Sequence, residues 1–205
     1  LDCFGHPKIF SYILLEKILE ELGINTLFAS YKGFTKLKYD VYGFAKLLLF
    51  GRLLNPSSKS ATIKQNNNYF EPILADDFNP DNVYDTLSFI ADNKDKIIRR
   101  INTNLVKKAK RSPEVIYYDV TNFYFETENP DEDVLDDNGD ILEKGFRKNG
   151  VSKENRKSPI VQMGLFMDDS GIPIAIESFP GNTLDHLTLR PALKKNIDDL
   201  EFSRF

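Results

Sequence analysis

The stretch from Val115 to Phe125 constrains the fold of this chain more than any other, because its composition is typical of a β-strand. It reads Val-Ile-Tyr-Tyr-Asp-Val-Thr-Asn-Phe-Tyr-Phe, and β-branched and aromatic residues of this kind are enriched in strands. Pro113 and the polar run that starts at Glu126 bound the stretch. Both of its alternating faces are largely apolar, which predicts a central strand covered on both sides.

Asp119 lies in the middle of this predicted strand, a position where aspartate is normally depleted. A carboxylate buried there is costly unless it is hydrogen-bonded, paired or bound to a cation. Two interpretations follow. Asp119 is either a structural aspartate that binds a turn or a helix start, or a metal-binding or nucleophilic carboxylate on a rigid strand. The strand alone favours neither interpretation.

The composition argues against several classes of protein and site. The chain has 205 residues and a formal net charge of −4, which suits one or two globular domains. Cys3 is the only cysteine, and His6 and His186 are the only histidines, so the sequence does not predict a disulfide framework or a cysteine or histidine metal site. The apolar runs are too short to cross a bilayer, and no signal-peptide pattern opens the chain. We therefore expect a cytoplasmic protein without a membrane partner.

Charged residues are arranged in blocks along the chain. Basic residues crowd the segment from Lys94 to Arg111, acidic residues crowd Glu126–Glu143, and further basic residues follow in Lys144–Lys157. Such blocks are typical of solvated helix faces and loops. A basic block can also contact the phosphates of a nucleic acid. Because the chain as a whole is acidic, charge alone favours the first interpretation.

Apolar spacing predicts a helical region before the key strand, over residues 1–112. The predicted helices are Pro7–Leu22, Tyr39–Leu54, a helix that starts at Asn79 and Pro80, and a basic helix that ends near Lys110. The polar stretch Ser57–Asn68 predicts a loop or a short edge strand. We find no clear helix-turn-helix signature in this region.

The remaining residues, 113–205, predict a small α+β domain. An acidic insertion at 126–158 follows the key strand, and the turn Asp168-Asp169-Ser170-Gly171 predicts a hairpin of two further strands. These strands are Pro159–Met167 and Ile172–Phe179, and a helix over Thr183–Leu200 follows them. We expect the three strands to form an antiparallel sheet with Val115–Phe125 at its centre.

Several motifs in this second half resemble the IS4-like DDE transposases of bacterial insertion sequences. The motifs are Tyr118–Thr121, Phe123–Glu126, Gly150–Arg156, Pro159–Leu165, Gly171–Pro173 and Phe179–Thr183. They span about Val115 to Leu193 and keep the order of the family. No single motif is specific, but the ordered set is. The helical region resembles the N-terminal region of the family more loosely.

The resemblance implies a fold in which an N-terminal helical region precedes the first half of a ribonuclease-H-like domain, with three antiparallel strands and a helix. It also implies metal-dependent cleavage and strand transfer of DNA, in which two aspartates and a glutamate hold two divalent ions, Mg²⁺ or Mn²⁺. Asp119 matches the first aspartate, which makes it the implied catalytic and metal-binding residue. Lys153 and Arg156 are candidate contacts to DNA phosphates, with a solvated loop as the alternative. The implied partners are double-stranded DNA at transposon ends and a second copy of the chain, at the bacterial nucleoid.

The other two acids of the family would follow the Thr183 helix, and this sequence stops at Phe205 before them. We therefore expect an N-terminal fragment of a transposase that does not cut DNA by itself. One alternative is an inactive or domesticated remnant that only binds DNA or a protein. A second is a haloacid-dehalogenase-like phosphohydrolase, which would need another aspartate two residues after Asp119. Thr121 occupies that position, which argues against this second alternative.

Overall fold

The computed structural model describes residues 8–32, 37–109, 115–153 and 157–199. The chain divides into two compact units, Leu1–Lys110 and Arg111–Phe205. The described part of the first unit is helical, and that of the second contains a three-stranded antiparallel sheet and a helix, so the fold is α+β. Within these described ranges, we find no helix with the length and apolar character needed to span a membrane.

Six α-helices and a short 3-10 helix build the described part of the first unit. They are α1 (Tyr12–Glu21), α2 (Ile24–Lys32), α3 (Val41–Leu54), α4 (Lys59–Lys64), the 3-10 helix Gln65–Asn68, α5 (Asn82–Asp92) and α6 (Lys94–Ala109). Helices α3, α5 and α6 confirm the spacing argument to within a few residues. The first helix was predicted to start at Pro7, which lies outside the described residues. The described residues 8–11 are not helical, since Ile9 forms an isolated bridge with Tyr69, and α1 begins only at Tyr12.

The prediction of a loop or strand over Ser57–Asn68 was wrong, because capping and burial override the polar composition. The hydroxyl of Ser58 accepts a hydrogen bond from the Ala61 amide at 3.2 Å and so starts α4. The side chain of Asn66 is buried, and its oxygen accepts from the Ile73 and Leu74 amides at 3.0 and 2.9 Å. The asparagine run is therefore folded against the following segment.

The core of the first unit forms around α3, where Phe44, Leu47 and Phe50 are fully buried. Their spacing of three residues places them on one side of the helix. Tyr69 and Leu74 pack in the same core. The apolar spacing predicted the helix but not its buried side, since Leu49, which was predicted to lie inward, is 39% exposed.

The sheet of the second unit contains β1 (Ile116–Tyr124), β4 (Ile160–Asp168) and β5 (Pro173–Pro180), in the spatial order β1-β4-β5. Both pairings are antiparallel. The prediction that Val115–Phe125 is the central strand was wrong, since β4 occupies the centre and β1 lies at an edge of the described sheet. The apolar residues on both faces of β1 suggested burial on both sides, yet Tyr117 and Phe123 are 56% and 52% exposed.

The acidic insertion between β1 and β4 folds into a small hairpin of β2 (Val134–Leu135) and β3 (Ile141–Glu143). Its turn is stabilised by Asp136, whose carboxylate accepts from the amides of Asn138 and Asp140, both at 2.8 Å. At its base, hydrogen bonds from Arg147 hold the pKa of the Asp131 carboxyl below its usual range. The carboxylates of Asp131 and Asp136 thus bind the main chain and side chains of this segment itself.

Helix α7 (Asp185–Asp199) covers one face of the sheet, which we call the covered face. Thr188 and Ala192 of the helix are buried, as are Phe166 and Ala175 of the strands. The face also carries a polar contact, since the hydroxyl of Tyr118 donates to the Thr188 hydroxyl at 2.7 Å.

Gly164 makes this contact possible, because the ring of Tyr118 lies directly over it. A Cβ atom at residue 164 would overlap the Tyr118 hydroxyl and ring carbons. Strand β4 therefore needs a glycine opposite β1 to admit the tyrosine, and the tyrosine in turn connects β1 to α7.

We predict that Tyr118→Phe lowers the free energy of unfolding by about 1 kcal/mol, since it removes one internal hydrogen bond. Gly164→Ala should cost more, about 1 to 3 kcal/mol, because the added methyl displaces the ring. Urea unfolding of the 205-residue chain measures both effects. The matched control is Tyr117→Phe, on the exposed face, where a change below about 0.5 kcal/mol is expected. Equal losses at residues 117 and 118 would contradict this packing.

Candidate functional site on the open face of the sheet

The second face of the sheet points away from α7, and we call it the open face. Successive strand residues alternate between faces, so the register assigns each side chain to one of them. The open face consists of Tyr117, Asp119, Thr121 and Phe123 of β1, Val161, Met163, Leu165 and Met167 of β4, and Ile176 and Ser178 of β5. All of these residues are half-buried or exposed.

Asp119 lies near the middle of this face, opposite Leu165 in the strand register. It is exposed, so the expectation of a buried carboxylate was wrong. The physical reason is that α7 covers only the side of β1 that carries Tyr118 and Val120. Water therefore solvates the Asp119 carboxylate, and no hydrogen bond joins it to another described residue.

The described residues do not form a metal centre by themselves. Hard divalent ions prefer several oxygen ligands, and within the described ranges no three His, Cys, Asp or Glu side chains come together in a way that could hold an ion. The neighbours of Asp119 across the strand are Leu165, Met163 and Met167, which offer no oxygen ligand in their side chains. Asp119 thus supplies one carboxylate to a surface that is otherwise largely apolar.

Lys153 lies beside the same strand. Its ammonium group donates a hydrogen bond to the carbonyl oxygen of Val120, the residue that follows Asp119. The side-chain amide of Asn122 reaches the carbonyl oxygen of Val151 at 3.5 Å. The segment that precedes Lys153 is therefore held along β1, which places one of the two predicted DNA contacts close to Asp119. The other, Arg156, lies outside the described residues.

The remaining acidic residues of the sheet are structural. Asp168 is buried on the covered side, and its carboxylate accepts from the amides of Ser170 and Ile172 at 3.0 and 2.8 Å, which closes the β4–β5 turn. Glu177 is buried against α7, where Lys195 donates to it at 3.0 Å. These contacts are typical of structural carboxylates, and within the described ranges Asp119 makes no contact of this kind.

The Pro180-Gly181-Asn182 corner, one of the motifs quoted above, holds the end of the insertion against the sheet. The amide of Gly181 donates to the carbonyl oxygen of Phe146 at 3.0 Å, and the main chains of Lys148 and Ile160 exchange two hydrogen bonds at 3.1 and 2.9 Å. A Cβ at Gly181 would overlap the carbonyl oxygen of Ile160. This glycine is therefore required by close main-chain packing, and the corner positions the segment that leads to Lys153.

A cleft between α2 and α6 in the helical unit was not predicted from the sequence. Helix α2 was not predicted either, although Ile24, Leu27, Phe28 and Tyr31 follow helical spacing. That spacing is the signal that could have found the helix. The basic residues of α6 were seen only as a block of charge.

Comparisons with known proteins give little similarity. No family model matches this chain, and no curated protein matches its sequence. Among solved structures, the chain is similar to one described as "Mos1 transposase paired-end complex with left transposon end", with 13% sequence identity and a TM-score of 0.26. The match covers 83% of this chain and 51% of that chain, so this chain spans about half its length. A TM-score of this size does not establish a common fold, and the proposals below rest on the residues of this chain.

We predict that the two strand aspartates differ in their effect on stability. Asp119→Ala should change the free energy of unfolding by less than about 0.5 kcal/mol, because the side chain is solvated. Asp168→Ala should lower it by about 1 to 3 kcal/mol, because two turn amides lose their acceptor. Chemical denaturation of both variants measures the difference. A large loss in Asp119→Ala would show that Asp119 is structural.

Proposed function

We propose that this chain is part of a DNA transposase of the IS4-like DDE group and that Asp119 is one of its catalytic, metal-binding carboxylates. The observation that carries the proposal is the position of Asp119, an exposed carboxylate near the middle of a rigid strand on the open face. The ordered motifs of the second unit support it. In particular, the motif at the Gly181 corner serves close packing in this chain, as described above.

The contrast between the acids of the sheet supports a functional interpretation of Asp119. A structural aspartate is expected to accept hydrogen bonds, as Asp168 does from two amides. An aspartate that binds a metal or substrate must instead keep its oxygens accessible. The exposed Asp119 meets this requirement. A functional role also explains why a strand otherwise rich in apolar residues carries a carboxylate.

The proposed reaction is metal-dependent cleavage and transfer of DNA strands, with Mg²⁺ or Mn²⁺ as the ion. Two-metal chemistry needs the ions about 3.5 to 4 Å apart and several carboxylates to hold them. In this proposal, Asp119 provides one ligand and the other acids come from outside the described residues. The proposed fold is the first half of a ribonuclease-H-like domain in residues 113–205, preceded by a helical region in residues 1–112. Both assignments rest on the resemblance.

The proposed partners are double-stranded DNA at transposon ends and a second copy of the chain bound to the same DNA. Lys153 suits a DNA contact because an ammonium group has three donors, and among the described residues it donates one hydrogen bond, to the Val120 carbonyl. Phosphate contacts from this segment would lie next to the proposed catalytic residue. Arg156 stays a sequence-based prediction.

A second candidate function is a remnant that binds DNA without cutting it. The observation in its favour is that the described residues bring one carboxylate to the open face rather than several. Cleavage assays separate the two candidates, because both would bind DNA and only a transposase would cut it in the presence of the remaining acids.

We predict that the 205-residue chain alone does not nick supercoiled plasmid DNA in Mg²⁺ or Mn²⁺. One carboxylate cannot hold two ions at the required spacing. Agarose gels after incubation with each ion measure nicking, and ethylenediaminetetraacetate provides the metal-free control. Nicking that needs metal and disappears in Asp119→Ala would show that the missing acids lie within this chain.

In a longer protein that contains the other acids, we predict that Asp119→Asn reduces strand cleavage by about a hundredfold or more, by analogy with the loss of other transition-state electrostatics. Binding to transposon ends should stay nearly unchanged, because asparagine keeps the size of the side chain. A cleavage assay and a gel shift on the same variant test this, with thermal melting as the folding control. Cleavage at the unmodified rate would rule out a catalytic role for Asp119. If the variant melts early, Asp119→Glu provides the test, since it keeps the charge and moves it.

A further inference from the structure

A cleft with a volume of about 500 Å³ lies between α2 and α6 in the helical unit. Most of its lining residues are polar or basic by type, although carbon atoms supply more of the lining surface than polar atoms do, and the buried Leu27 lies among them. The residues that line it are Leu27, Ser30 and Tyr31 of α2 and Lys96, Arg99, Arg100, Thr103, Asn104 and Lys107 of α6. The described residues of the open face all belong to β1, β4 and β5, and none of them lines this cleft.

The positive charge of the cleft is concentrated on one side of α6. Lys96, Arg100 and Lys107 are all exposed, and their spacing of four and seven residues puts them in one row along the helix. With a rise of 1.5 Å per residue, the row is about 16 Å long. Among the described residues that line the cleft, none has an acidic side chain. A chain with a formal net charge of −4 thus presents a local basic surface.

Tyr31 adds a buried polar atom to the cleft. Its hydroxyl oxygen is buried, and within the described part of the chain it makes no hydrogen bond. Burial raises the pKa of this hydroxyl, against the opposing effect of nearby Arg100. Buried polar groups normally have partners. An unpaired donor next to a row of cations indicates a place where an anion can supply the missing acceptor.

The walls of the cleft are held in place by contacts that do not use its basic groups. The side-chain amide of Asn104 donates to the carbonyl oxygen of Leu22 at 2.9 Å, which fixes α6 against the end of α1. Tyr31 packs edge-on against Phe28 and Phe89, with ring centroids 6.1 and 5.2 Å away. The cleft is therefore formed before any ligand arrives, which reduces the cost of binding.

We propose that this cleft binds phosphate groups of the backbone of double-stranded DNA. Guanidinium, ammonium and hydroxyl groups are the usual donors to phosphate oxygens. A row of cations about 16 Å long fits several successive backbone phosphates better than a single phosphate, since each strand carries one charge per about 3.4 Å. The inference rests on the proposed function only for the choice of DNA. The phosphate chemistry follows from the cleft itself and does not involve Asp119.

The test compares two triple variants of the full 205-residue chain. The cleft variant is K96A/R100A/K107A, and the control variant is K59A/K64A/K108A, which removes the same charge from exposed residues that do not line the cleft. Fluorescence anisotropy of a labelled 30-base-pair duplex gives the affinity between 50 and 200 mM salt. Melting in the absence of DNA confirms that each variant is folded.

We expect the cleft variant to bind the duplex at least about tenfold more weakly than the unmodified chain, and its slope of log affinity against log salt to be shallower by about 3, one for each lost phosphate contact. The control variant should lose much less. Equal losses in the two variants would overturn the proposal, because binding would then follow net charge alone. If the cleft variant is unstable, two single variants give the same comparison: Lys107→Ala, in the cleft lining, and Lys108→Ala, at the neighbouring residue outside it.

A second arm separates the sources of phosphate. Inorganic phosphate and a mononucleotide are titrated against the unmodified chain, with the melting temperature as the readout. We expect inorganic phosphate and the mononucleotide to raise the melting temperature only slightly, at phosphate concentrations that saturate the chain when they are supplied as duplex. Strong stabilisation by free phosphate without duplex binding would overturn the assignment to DNA.

Tyr31→Phe should weaken duplex binding severalfold without lowering the melting temperature, since it removes a buried hydroxyl that has no partner among the described residues. Unchanged affinity in Tyr31→Phe would count against its role in the cleft.

The duplex assay is run without divalent ions, which keeps this inference separate from the proposed catalytic role of Asp119, a residue that is not among those lining the cleft. Loss of duplex binding in the cleft variant alone supports the cleft, whatever the outcome of the cleavage assays. Loss of cleavage in Asp119→Asn with normal DNA binding supports the catalytic role, whatever the outcome for the cleft variant.

Discussion

The pairing of β1 with β4 is the constraint on which the rest of the second unit depends. The two strands run antiparallel without a shift, from Ile116 opposite Asp168 to Tyr124 opposite Ile160. A slip of one residue would exchange the two faces of β1. Asp119 would then lie against α7, and Tyr118 would lose its hydrogen bond to Thr188. The register thus decides both the packing of the sheet and the exposure of the candidate catalytic group.

The two faces of the sheet differ in the surroundings of their acidic residues. On the covered face, the buried carboxylates have partners. Glu177 accepts a hydrogen bond from Lys195, and Asp168 accepts two from amides of the β4–β5 turn. On the open face, Asp119 has solvent and apolar neighbours. This arrangement leaves one carboxylate accessible for chemistry while the fold is stabilised from the other side. The proposed transposase function places the reacting DNA on the open side.

The helical unit contributes a separate basic surface. In α6, one side carries Ile97 and Ile101 toward the core, and the row with Lys96, Arg100 and Lys107 faces the cleft. The period of 3.6 residues places the apolar residues on one side of this helix and the basic residues on another. Since the cleft and Asp119 are tested by different assays, the proposed DNA binding by the cleft and the proposed catalytic role of Asp119 can be tested independently.

The sequence by itself determined the α+β class, helices α3, α5 and α6 and the β4–β5 hairpin, because these follow from local periodicity and turn chemistry. It also identified Asp119 as the residue to test, because aspartate is uncommon within a strand. It could not determine strand order, since an apolar residue such as Tyr117 looks the same whether it is buried or exposed. It also missed α4, where the Ser58 cap and the buried Asn66 outweigh polar composition. Tertiary structure alone decided that β4 is central, that Asp119 is solvated and that Tyr31 lies beside Arg100. Each depends on contacts between residues far apart in the chain, for which a single sequence carries no local signal.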